Sequence, residues 1–260
     1  MSGGVRARAQ YAGAVLLPGV PRVRVPSAVR PAVETPFGAL TFATGVGGLD
    51  LPPVPDELFE LPGGRTVARW AGPAARVELL LTAYDPELDP EHWGPLTGCR
   101  AVWRLDAFAP LGRVRFSAGL PSELPVGVEA GWDGGQGLCA ITAEDEGTLL
   151  TFGGNDEEAI CWAAECGEAP RRWAALTEEV NGYSFDGWGV DCTGSRAITW
   201  RLPPLEAGDH CELPVVAAWA PAAVAEACAN TWYAVMPSPT VLLRQVAADV
   251  AERAEAAEGG

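Results

Sequence analysis

Alternation with a period of two runs through the middle of the chain. In 76–84, Arg-Val-Glu-Leu-Leu-Leu-Thr-Ala-Tyr, the residues Val77, Leu79 and Leu81 fall on one face. In 100–108, Ala101, Trp103 and Leu105 share one face, and Arg100, Arg104 and Asp106 share the other. In 113–120, Val114, Phe116 and Ala118 separate from Arg113, Arg115 and Ser117. Ile198, Trp200 and Leu202 repeat the pattern, and 212–219 closes the set. Strands with one buried and one wet face read this way, and they belong to antiparallel sheets. Shorter apolar runs predict strands at 23–25, 38–42, 138–142, 148–152 and 159–163. The turn Leu-Glu-Ala-Gly-Asp at 205–209 reads as a hairpin joining the last two strands.

Helical spacing belongs to the last third. Residues 170–180 open on Pro170 and stop at Asn181-Gly182, which are helix start and stop signals. A short helix is expected at 222–229. The longest is predicted within 238–257, where Ser238 caps it and Pro239 takes the first position. Leu243, Val246, Ala247, Val250 and Ala251 give it an apolar stripe. Many strands followed by one amphipathic helix predict an all-β fold, a large antiparallel β-sandwich (a supersandwich) with a C-terminal helix. On this reading 1–60 is a proline-rich N-terminal segment with short strands, part of the same domain. Residues 61–237 form the sandwich core, and 238–257 is the helix packed on it.

Composition narrows the chemistry. The chain has 260 residues, 34 acids against 18 bases, and a formal charge of −16. Every base is arginine, which removes Schiff-base, phosphate-loop and general-base lysines. So acidic a chain speaks against nucleic acid and anionic membranes and for neutral or cationic partners. No apolar run reaches the ~20 residues of a membrane span. The apolar patch at 12–17 follows a basic start but ends at Pro18 without a cleavage site. The 7 cysteines include no C-x-x-C pair. They read as small buried hydrophobes in a reducing cytoplasm. No signature calls for a cofactor or a metal. Richness in Ala, Arg, Gly and Pro without lysine looks like a high-GC actinobacterial chain.

The last third carries a resemblance. A strand ends in Leu-Pro-Pro-Leu-Glu-Ala-Gly-Asp (202–209), and Leu-Pro-Val-Val-Ala-Ala-Trp-Ala-Pro (213–221) follows. Then come Asn-Thr-Trp-Tyr-Ala-Val-Met (230–236) and the predicted helix. This resembles the N-terminal β-supersandwich of the bile-acid β-glucosidase (non-lysosomal glucosylceramidase) family, of galactose-mutarotase-like class. In that family the helix leads into an (α/α)-barrel holding two catalytic carboxylates. The sequence stops at Gly260, so no residue carries over as nucleophile or acid. The resemblance implies shape, not glycosidase activity.

Loop aromatics beside acids are the remaining candidates. Trp93, Trp132 and Trp188 stand in Gly- and Asp-rich segments, where an indole either packs down or walls a binding site. The loop Asn-Gly-Tyr-Ser-Phe-Asp-Gly-Trp-Gly-Val-Asp (181–191) offers Tyr183, Asp186, Trp188 and Asp191. Burial beside Phe185 and Trp188 would raise the Asp186 carboxyl toward a general acid or base, with Tyr183 as orienting donor, but a surface turn in which Asp186 and Asp191 bond local backbone is the better reading. Asp133 beside Trp132 forms a second cluster, better read as a hairpin turn. Asp85, Glu87 and Asp89 alternate like Ca²⁺ ligands, but prolines break the loop and a solvated acidic turn is the better reading. The pairs Arg22/Arg24 and Arg113/Arg115 are strand-face charges that can clamp a carboxylate, but balancing the acidic surface is the better reading.

Three functions follow. The first is a stand-alone sandwich binding a carbohydrate or a glycosylated or cyclic small molecule in an aromatic-lined concave site. The second is a cyclase, isomerase or lyase of secondary metabolism working through Asp186. The third is a scaffold docking a protein partner through its last helix. The sequence leaves open whether the chain is an enzyme.

Overall fold

The computed structural model describes residues 31–61, 65–84, 91, 94–123, 127–181, 187–192, 196–223 and 227–235. The strand expected at 23–25 and the helix expected at 239–257 lie outside them.

Two antiparallel sheets face each other. The six-stranded sheet runs β1 (Ala32–Thr35), β2 (Gly38–Val46), β8 (Val114–Gly119), β13 (Ala197–Leu202) and β12 (Gly189–Asp191), with β3 (Leu49–Asp50) paired to β2. The eight-stranded sheet runs β4 (Glu57–Leu61), β5 (Arg65–Ala71), β6 (Ala75–Tyr84), β7 (Thr97–Ala107), β14 (His210–Pro221), β11 (Thr148–Asn155), β10 (Leu138–Glu144) and β9 (Gly127–Asp133). The alternation seen in the sequence sorts the faces as expected. Val77, Leu79, Leu81, Trp103, Leu105, Phe116, Ile198 and Trp200 all enter the core between the sheets. On the outer face of β4 to β14, register brings Glu57, Arg69, Glu78, Arg104 and Glu212 into one row of alternating sign. Arg69 bonds both Glu78 (2.6 Å) and Glu57 (2.7 Å) within it. Opposite charges directly across a ladder stabilise strand pairing.

Two expectations are corrected. The run at 159–163 is not a strand but the middle of α1 (Glu157–Glu165). Asp156 caps it by accepting from the Ala159 N–H at 2.9 Å, and Glu157 and Glu158 fill the acidic first turn. The alanines that made the run look continuously apolar are also good helix formers. The turn 205–209 is not a hairpin. β13 pairs with β8 and β12, whereas β14 pairs with β7 and β11, so the chain crosses from one sheet to the other. Pro203 and Pro204 follow β13; without N–H groups they cannot extend its ladder. Elsewhere, 170–180 divides into a 3-10 segment (Arg171–Leu176) and α2 (Thr177–Asn181), and the helix expected at 222–229 lies later, as α3 (Ala227–Val235). Among the described residues no helix is long and apolar enough to cross a membrane.

Burial of the Asp156 cap pushes its carboxyl up to about 6, despite the opposing hydrogen bond from Ala159. Its ordinary value is 3.8, so between the two the folded state holds a proton that the unfolded chain has released. Stability from this group is therefore full below pH about 4 and is lost as pH rises to about 6. Urea melts of the wild type and of Asp156→Asn should show this. The stability difference, wild type minus variant, should fall across that window and be flat above it.

Candidate functional site

The residues singled out in the sequence fall in separate places. Trp93, Tyr183 and Asp186 lie outside the described residues. Trp132 stands on the edge strand β9, half exposed, opposite Cys139. Asp133 closes the β9–β10 turn by accepting from the Gly135 N–H at 3.1 Å, the turn role expected of it. Trp188 is packed into the core, and Asp191 faces Arg201 at 3.6 Å. Trp132 and Asp191 nevertheless share one edge of the sandwich, because Cys139, beside Trp132 in register, touches Cys192, the residue after Asp191. None of these four lines the two clefts described next.

The first cleft lies on the outer face of β9 and β10 and has a volume of about 580 Å³. Parity explains its lining. Gly127, Glu129 and Gly131 point outward from β9, and they pair with Glu144, Thr142 and Ala140 of β10. The turn after β10 adds Asp145 and Glu146, and Trp232 of α3 forms the wall. The indole sits where Gly131 has no side chain: a Cβ there would lie 2.9 Å from Trp232 Cη2 and 3.2 Å from Cζ3. α3 is fixed from below. Thr231 exchanges a 2.8 Å hydroxyl hydrogen bond with Thr151, and Thr151 a 3.2 Å one with Thr142. Ala234 and Val235 pack on Leu138, Ala140, Val216 and Ala218. Apolar packing and this buried hydroxyl chain together place one indole beside Glu129, Glu144 and Glu146. Asp145 is committed to the turn, accepting from the Gly147 and Thr148 N–H groups at 2.8 and 2.7 Å.

The second cleft, also about 580 Å³, lies on the outer face of the six-stranded sheet. Register aligns Asp50, Gly45, Arg115, Arg201 and Gly189 across it. Arg115 is ion-paired with Asp50 over the bare Gly45 backbone, and Arg113 and Gly187 complete the rim. The Arg113–Arg115 pair noted in the sequence thus does face one cleft. Its charge is opposite in sign to the protein's net charge.

Sequence reading did not single out Trp232, Glu129 or Glu144 as site residues. β9 alternates Val128, Ala130 and Trp132 with Gly127, Glu129 and Gly131, but the run is short and its glycines make 131–135 read as a turn. The partner of Trp232 is a glycine about a hundred residues earlier.

No protein-family model matches the chain, and no curated protein matches it. Among solved structures it is similar to a protein from the human microbiome assigned as a kojibiose phosphorylase, with a TM-score of 0.46 and 8% identity. The match covers 88% of this chain and 30% of that one, so the chain spans less than a third of its length. At that score and identity the likeness fixes neither fold nor activity.

Proposed function

We propose that this protein is a β-sandwich binding module for a neutral or cationic carbohydrate, or a glycosylated cyclic small molecule, held against Trp232. The carrying observation is the placement of one indole wall over Gly131 beside the carboxylates of Glu129, Glu144 and Glu146. A sugar ring offers C–H groups to an aromatic face and hydroxyl donors to carboxylate acceptors. An amino sugar adds a cation that both the indole face and the carboxylates attract. The cleft volume lies in the range of small-ligand sites. The resemblance of 202–236 to a glycosidase accessory sandwich supports the same ligand class.

The test is calorimetric titration with neutral gluco- and galacto-oligosaccharides and with glucosamine oligomers. Trp232→Ala should weaken the best ligand at least about tenfold, on the scale of an aromatic anchor lost from an interface. Gly131→Ala should weaken it too, by displacing the indole. Arg113→Ala, on the opposite sheet, should leave affinity unchanged. Undiminished binding in Trp232→Ala would move the site elsewhere.

A further inference from the structure

Cys139 and Cys192 stand apart from the other cysteines in their geometry. Cys139 projects into the core from β10 of the eight-stranded sheet, and Cys192 follows β12 of the six-stranded sheet. Both are fully buried, and their sulfurs are 3.0 Å apart across the interface between layers. Neither is bonded to another cysteine in this structure. A disulfide needs sulfurs about 2.05 Å apart, so a movement of roughly 1 Å by one side chain closes the gap. Among the described residues β12 is a three-residue edge strand that pairs with β13, and its Val190 N–H also donates to Glu157 at 2.7 Å.

We propose that Cys139 and Cys192 are a modification site: oxidation joins them in a disulfide that staples the two sheets together. The co-reactant is a low-molecular-weight disulfide, RSSR. One cysteine, as thiolate, attacks a sulfur of RSSR and releases RS⁻, leaving a mixed disulfide. The second thiolate attacks the protein sulfur of that mixed disulfide and releases the second RS⁻. The two thiol protons end on the two RS⁻ ions. The protein loses two electrons and RSSR becomes two RSH. Burial raises both thiols above their ordinary range, and Glu157 adds to the effect on each. The closed fold therefore holds little thiolate. Exchange occurs when the β12 edge opens or before it docks, and the finished bond is sheltered from reductant afterwards. The separation of 53 residues makes the cross-link a long-range constraint on the unfolded chain.

The full chain is refolded in a buffer of reduced and oxidised glutathione, alkylated while denatured, and cut after aspartate and glutamate. Cys139 and Cys192 then fall in separate peptides, 134–144 and 192–206, neither with a second cysteine. The expected product is those two peptides linked, with a Tm about 10 °C above that of the reduced protein. In Cys192→Ala the linked product and the Tm response to reductant should both vanish. Two results would overturn the proposal. One is recovery of both peptides alkylated from oxidatively refolded protein with native circular dichroism. The other is a Tm response that survives in Cys192→Ala, which would assign the bond to another pair.

Discussion

Trp103→Ala is expected to lower stability by about 3–5 kcal/mol, the range for deleting a large buried aromatic. Trp103 is fully buried on β7, and its neighbours come from the opposite sheet. Its indole stacks on Phe116 (centroids 4.9 Å, planes 14° apart) and meets Phe42 and Trp200 edge-on at 5.6 and 6.1 Å. Those partners stand on β8, β2 and β13. Truncation therefore removes contacts between layers, and rigid strands on both sides limit collapse into the cavity. Its Nε1–H is buried without an acceptor among the described residues. Trp103→Phe removes that unsatisfied donor while keeping a ring, so it should cost clearly less. Trp132→Ala, at a half-exposed edge position, should change stability by less than about 1 kcal/mol. Urea denaturation of the three variants checks the order.

Gly154→Ala should be nearly as damaging, for the opposite reason. Gly154 lies on β11, and a Cβ there would sit 2.6 Å from the Pro214 carbonyl oxygen and 3.0 Å from Trp200 Cζ2. The oxygen belongs to the backbone of β14, so no side-chain rotation relieves the clash. Trp200 is equally fixed, because its Nε1–H donates to the Asn155 carbonyl at 2.7 Å. Overpacking of this kind costs about 3 kcal/mol. For a chain of this size that lowers Tm by roughly 6–12 °C. Gly147→Ala is the control: its Cβ would meet nothing closer than 3.7 Å. The melting temperature of Gly147→Ala should stay within about 2 °C of the wild type.

How much was legible in the sequence depended on which surface each element buried. β6, β7, β8 and β13 bury one face against the opposite sheet, and their alternation announced them. β9 carries the same alternation, in Val128, Ala130 and Trp132, but buries little of it, and its glycines made the stretch read as a turn. α1 was hidden because its apolar residues are contiguous, although Asp156-Glu157-Glu158 held the signal of its start. The Leu205–Asp209 turn looked like a hairpin because sequence shows that two strands are consecutive, not which sheet each joins. The site was less legible still. Trp232 becomes a wall only through Gly131, which register alone carries to it. The arginine cleft was half visible: Arg113 and Arg115 are neighbours in sequence, but Arg201 arrives through the pairing of β13 with β8.

The most direct test of the binding site is an amide and indole N–H nuclear magnetic resonance titration of the ¹⁵N-labelled protein with the same oligosaccharide panel. The expected result is a saturable shift of the Trp232 indole signal together with the amides of Gly131 and Thr142, while Arg113 and Arg201 stay still. Two results would contradict it: no oligosaccharide in the panel moving any of these signals, or shifts confined to the arginine cleft.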